Sequence, residues 1–155
     1  MTIKDNLSNL NIDLSNPPKA VGSYLAYKKI NKIIYISGQL PIDSDGSIIK
    51  GKVGLDIDIK IAQKAAYLCG LNILRQLNDA TESDLNKIKN CIKITGYVNS
   101  IDNFAEQPKI INSVSELLVK ILGDIGKHTR AAVSVNSLPL GACVEVDAIF
   151  EINWC

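Results

Sequence analysis

The sequence is poor in the side chains that most metal and nucleophile chemistry requires. It holds one histidine, His128, and four cysteines, Cys69, Cys91, Cys143 and Cys155, none of them in a C-x-x-C pair. A zinc site would have to collect single ligands from distant elements, so neither metal nor other cofactor is expected. Charge of one sign is also missing: 17 basic against 16 acidic residues leave a net +1. No basic field is available to grip nucleic acid through its phosphates. The longest apolar runs are broken within a few residues and stay far short of the ~20 residues of a membrane span. The opening MTIKDNLSNLNIDLS has no apolar stretch followed by a small-residue cleavage site, which points to a cytoplasmic protein without a membrane partner. No phosphate-cradling glycine loop and no internal repeat occur.

What remains is an ordinary globular composition. With 46% hydrophobic residues in 155, the chain is expected to form one domain over residues 1–155, with residues 1–18 as an N-terminal extension. That extension is polar, ends in Asn16-Pro17-Pro18, and is expected to dock loosely with one short helical turn. Cys69, Cys91 and Cys143 sit in apolar patterns and read as small buried hydrophobes.

The periodicities predict strand, strand, helix, strand, helix, strand, strand. Residues 23–30 and 33–37 read as strands joined by Asn31-Lys32, with Gly38 ending the second. A helix over 56–77 carries the stripe Ala62, Ala65, Ala66, Cys69, Ile73, Leu77, with Asp56 and Asp58 near its start. Gly70 inside it suggests a close approach to the sheet. Residues 88–98 read as a strand. Asp102 is expected to cap a second helix whose stripe runs from Ile110 to Ile125 and which Gly126 closes. Residues 129–135 and 144–152 are the last strands. Two helices on one face of a mixed α+β sheet is the natural packing. Val144, Val146 and Ala148, set against Ile149 and Phe150, put apolar residues on both faces of the last strand, which suggests self-association in a closed ring.

Only Arg75 and Arg130 are arginines. Arg75 falls on the polar side of the first long helix and reads as a solvated side chain. Arg130 opens an apolar strand, where a guanidinium must find an acceptor. Its planar fork suits a carboxylate held bidentately. Glu145 or Asp147, which share one face of the last strand, could supply that carboxylate internally, or a ligand could. His128 reads as a loop residue or as a neighbour of the same site. Ser23 and Ser37 have no histidine base in view, so a serine nucleophile is not favoured.

Val21-Gly22-Ser23-Tyr24 followed by Tyr35-Ile36-Ser37-Gly38-Gln39-Leu40-Pro41 resembles the G-P-Y…S-G-Q-[IL]-P signature of RidA/YjgF proteins. Phe104 and Ile111-Asn112 resemble the D-F-x-x-[VM]-N run of that family. Arg130, Val133, Leu138-Pro139, Val144-Glu145-Val146 and Ala148-Ile149 resemble its C-terminal block. The resemblance spans about residues 18 to 153. It implies a chorismate-mutase-like α+β fold and a homotrimer with a β-barrel-like core and three clefts between subunits. The implied activity is hydrolysis of 2-imino acids to 2-oxo acids and ammonia, without metal or cofactor. Carried over, Arg130 would clamp the substrate carboxylate and Glu145 would orient or polarise the attacking water. Tyr24 and Asn112 would line the cleft, and Ser37 and Gly38 would shape its wall.

Ala132 stands where many members carry cysteine, and Ser134 where an acidic residue is common. Glu106-Gln107-Pro108-Lys109 reads as an extra stretch, and the N-terminal segment is long. These departures suit a longer-chain subgroup. They keep open a second reading, a non-catalytic trimer that binds small 2-oxo acids. Cleavage of RNA, an activity the family is often credited with, fits poorly with a near-neutral chain that lacks interleaved basic and aromatic residues.

Overall fold

The structure, a computed structural model, describes residues 1–153; Cys155 lies outside the described residues. The elements run α1 (Ile3–Asn9), β1 (Tyr27–Ile30), β2 (Ile33–Gln39), α2 (Ile59–Ala80), β3 (Ile88–Asn99), α3 (Gln107–Leu122), β4 (Thr129–Val135) and β5 (Val144–Ile152). One mixed sheet has the order β1-β2-β5-β3-β4. β5 runs antiparallel to β2 and β3, and β4 pairs parallel with β3, the return being made by α3. The expected α+β fold, with α2 and α3 on one face, is the one observed.

Local chemistry explains most boundaries. Asn31 takes φ 53°, a left-handed conformation that Asn tolerates, and turns β1 into β2 in two residues. Asp58 caps α2 by accepting from the Ile61 N–H at 2.9 Å, whereas Asp56 accepts from the Lys52 N–H and closes the preceding turn. The helix therefore starts three residues later than the acidic pair suggested and runs on to Ala80. Its expected stripe is buried throughout.

Four expectations need correction. Asp102 does not cap the second helix. α3 begins at Gln107 with Pro108 in its first turn, where a missing N–H costs nothing, so the stretch read as extra is the helix start. α3 also ends at Leu122, where Gly123 takes φ 69°, and a 3-10 turn through Gly126 carries the apolar stripe on to Ile125. Gly70 faces α3 rather than the sheet: an added Cβ would stand 3.0 Å from Leu117 Cδ2. Finally, Phe150 shares the buried face of β5 with Val144, Val146 and Ala148, as strict alternation requires. Ile149 alone of the apolar pair faces the other way. That helix-free face still carries half-exposed Tyr35 and Val133, 47% and 44% exposed.

α1 is anchored by a reciprocal cap between Thr2 and Asp5 and by Asn6, which donates to the Ile121 carbonyl of α3 at 2.9 Å. Among the described residues, no helix is long and apolar enough to cross a membrane.

Candidate functional site

Arg130 lies on the helix side of edge strand β4, opposite Ile94 of β3 in the ladder. Its Nη1 donates to Asn112 Oδ1 at 2.8 Å and to Ser115 Oγ at 3.0 Å, both on α3, and Nη2 approaches the Pro108 carbonyl at 3.5 Å. Asn112 and Ser115 are three residues apart and therefore share a helix face. All three acceptors are neutral oxygens. The internal ion pair to Glu145 or Asp147 does not form, because both carboxylates lie on the opposite face of the sheet.

His128 joins this cluster rather than packing as an isolated loop residue. Its Nδ1 lies 2.7 Å from the Gly126 carbonyl and its Nε2 2.8 Å from Ser115 Oγ. A carbonyl only accepts, so Nδ1 carries the proton, and in the neutral ring Nε2 receives the Ser115 O–H. Ser115 then presents its lone pairs to Arg130. Ser115 is absent from the sequence-derived set, although its i+3 relation to Asn112 on one helix is the signal that could have found it.

Glu145 sits in a groove of about 460 Å³ on the helix-free side, lined by Tyr24, Gly38, Tyr97, Leu140 and Asp147 among others. Gly38 is there for steric reasons: a Cβ would fall 2.8 Å from the Glu145 carboxyl carbon and from Oε1. Burial, and then the charge of Asp147 two residues on, push the Glu145 carboxyl above its ordinary range. Tyr97 lies beside Glu145 in the β3–β5 ladder, and its hydroxyl donates to Asp147 Oδ2 at 3.0 Å.

A buried relay fixes the groove wall. Gln76 of α2 donates to the Pro18 carbonyl at 2.7 Å and to Gln39 Oε1 at 3.3 Å, and Gln39 donates to the Ser37 carbonyl at 2.9 Å. The segment bearing Tyr24 and the Ser37–Gly38 bulge are thus tied to one helix. Ser37 spends its own hydroxyl on the Leu25 carbonyl at 2.6 Å. Arg75, expected to be solvated, instead donates to Asn72 Oδ1 at 2.8 Å and to the Asp13 carbonyl at 3.3 Å, pinning the N-terminal segment. Ser134 is also spent on structure, between Ser100 Oγ and Gln107. The three described thiols, Cys69, Cys91 and Cys143, are buried, and burial pushes Cys143 up to about 11 and Cys91 to about 12, far from a neutral-pH nucleophile.

The six site residues therefore fall into two groups within one chain. Arg130 and Asn112 meet on the helix side; Tyr24, Gly38 and Glu145 meet on the other, and Ser37 adjoins Gly38 in β2 without lining the groove.

The sequence pattern of the family described as "YjgF/chorismate_mutase-like, putative endoribonuclease" matches residues 5–152. The chain belongs to the RidA/YjgF family. Among RidA/YjgF-type relatives, protein TCP17 of Trypanosoma cruzi is 36% identical over 149 residues, covering 96% of this chain and 92% of its own. The crystal structure of Atu1372 from Agrobacterium tumefaciens is 42% identical, covers 98% of this chain and 94% of its own, and superposes with a TM-score of 0.88. A mouse 2-iminobutanoate/2-iminopropanoate deaminase is 29% identical over 139 residues, covering 89% of this chain and 87% of its own.

Proposed function

We propose that the protein hydrolyses reactive 2-imino acids to 2-oxo acids and ammonia, the chain acting as one domain within a homotrimer. The observation that carries this reading is the state of Arg130. Its guanidinium is half-buried and bonded only to neutral oxygens, with Nη1 fixed and no carboxylate among its partners. A positive charge so placed attracts an anion, and its remaining N–H groups suit a carboxylate. The helix-free face, with its exposed apolar residues, is the surface on which three copies would close. Closure would bring the Glu145 groove of one protomer to the Arg130 edge of the next.

In that arrangement Arg130 and Asn112 hold the substrate carboxylate, which fixes the adjacent electrophilic C=N carbon and removes much of the entropic barrier. Glu145 assists a water at that carbon. Tyr24 and the Ser37–Gly38 bulge bound the side-chain space. The activity for which the mouse relative is named supports the reaction class. The near-neutral charge does not favour the nucleolytic activity in the family's description.

The test is ammonia release from freshly generated 2-iminobutanoate or 2-iminopropanoate. A rate above background that falls at least roughly 100-fold in Arg130→Ala is expected, since the substrate anchor is lost. Equal rates for both proteins would dismiss the reading. Saturable binding of 2-oxobutanoate without turnover would favour the carrier instead.

A further inference from the structure

The groove around Glu145 holds a second carboxylate that the reaction as so far described does not use. Asp147 stands two residues along β5 on the same face, and Tyr97 of β3 is the register neighbour of Glu145 and donates its hydroxyl to Asp147 Oδ2 at 3.0 Å. The groups that face Glu145 are Asp147 from its own strand, Tyr97 from β3 and Tyr24 from the N-terminal segment. β2 offers only Gly38 and the spent Ser37, and from α2 beneath comes buried Cys69. Among the described residues, no lysine or arginine lines the groove.

We propose that Asp147, oriented by Tyr97, is a positioning residue that makes Glu145 both the base and the acid of the reaction. The inference rests on the deaminase reading and extends it to the fate of the proton.

The physical case has three parts. The Tyr97 phenol donates to Asp147 Oδ2 and so holds that carboxylate in place on the strand face it shares with Glu145. Burial, and then the charge of Asp147 on the same strand face, favours the protonated form of Glu145. Burial and hydrogen bonding to Asp147 raise Tyr97's proton affinity, so the phenol remains a donor throughout. Gly38 supplies the space in which the Glu145 carboxyl stands, and so its reach into the groove.

The step balances without any co-reactant. Water adds through oxygen to C2 of the iminium, and one water proton passes to Glu145. The C=N electron pair moves to nitrogen and gives a neutral carbinolamine. Glu145 returns that proton to nitrogen, the C–N bond breaks, and the hydroxyl proton leaves with ammonia as ammonium. C2 becomes the carbonyl of the 2-oxo acid and Glu145 is again a carboxylate. A carboxylate of ordinary proton affinity would be a poor base for the first transfer; the neighbouring charge of Asp147 strengthens it.

Two readouts test this in the full-length protein. In the first, the side-chain carboxyl carbon of Glu145 is followed by 13C NMR across acid to neutral pH in wild type, Asp147→Asn and Tyr97→Phe. The Glu145 transition is expected to move to lower pH in Asp147→Asn. In Tyr97→Phe, where Asp147 is no longer held in place, the Glu145 transition should move part of the way in the same direction. In the second, the acid limb of the pH–rate profile should move with the NMR transition in Asp147→Asn. There kcat should drop about tenfold while KM stays within about twofold, and Asp147→Glu should restore both. A Glu145 transition unmoved in Asp147→Asn, with turnover intact, would overturn the coupling alone. A wild type without turnover would overturn the deaminase reading and the proton-carrying role together, while the NMR shift would still report the effect of Asp147 on Glu145.

Discussion

Gly38 and Glu145 compete for one volume, and that competition has a measurable consequence for stability. The groove half-buries Glu145 beside Asp147, and both effects raise its proton affinity in the folded state. The folded protein then binds more protons than the unfolded chain between the ordinary carboxylate value and the raised one. Stability therefore falls as pH rises through that window and stays lower above it. Glu145→Gln removes the titration at nearly constant shape. It should melt close to wild type at acid pH and above wild type at neutral pH. The gain should be small, because about half of the group remains open to water and is screened. Thermal melting of both proteins across the acid-to-neutral range decides it, and a gain for the variant only at acid pH would contradict the sign.

At the scale of elements, the site depends on how closely α3 lies on the sheet. Gly96 of β3 faces Ile111 of α3, and a Cβ there would fall on the Ile111 side chain. Ile111 is fully buried and precedes Asn112, which holds Arg130. Gly96→Ala should push α3 outward, at a cost of about 1–3 kcal/mol for overpacking. It should also weaken binding of a 2-oxo acid by severalfold, since Asn112 and Ser115 move off Arg130 while Arg130 itself is unchanged. Urea unfolding and calorimetric titration read the two effects separately; loss of stability with undiminished binding would show that α3 does not position the guanidinium. This dependence also explains what the sequence revealed. Stripes such as Ala62–Leu77 and the alternation of β5 are local periodicities, so the helices and strands were legible. The partner of Gly70, the role of Arg75 in pinning the N-terminal segment and the Ser115–His128 contact are set by tertiary approach between segments 13 to 62 residues apart, which no local pattern encodes. Pro108 was misread because the same residue marks either a loop or a first helical turn, and only the chain that follows decides between them.

At the scale of the whole molecule, the division of the site is the strongest constraint. Arg130 bonds α3 on one face of the sheet, and Glu145 lies in the groove on the other. One chain does not present both on one face, so the proposed deaminase site draws Arg130 from one protomer and Glu145 from another. Subunit mixing turns this into arithmetic. Arg130→Ala and Glu145→Gln should each be nearly inactive alone. After unfolding and joint refolding in equal amounts, a cleft works only where the arginine-supplying protomer is the Glu145 variant and its neighbour is the Arg130 variant, roughly one quarter of clefts in a randomly assorted closed ring. Refolding wild type with the double variant should also leave about one quarter of wild-type activity, against about one half if each chain worked alone. Recovered ammonia release in the first mixture, absent when the two proteins are combined without refolding, is the expected result. No recovery in the first mixture together with about one half in the second would show that each chain works alone and would overturn a site shared between protomers.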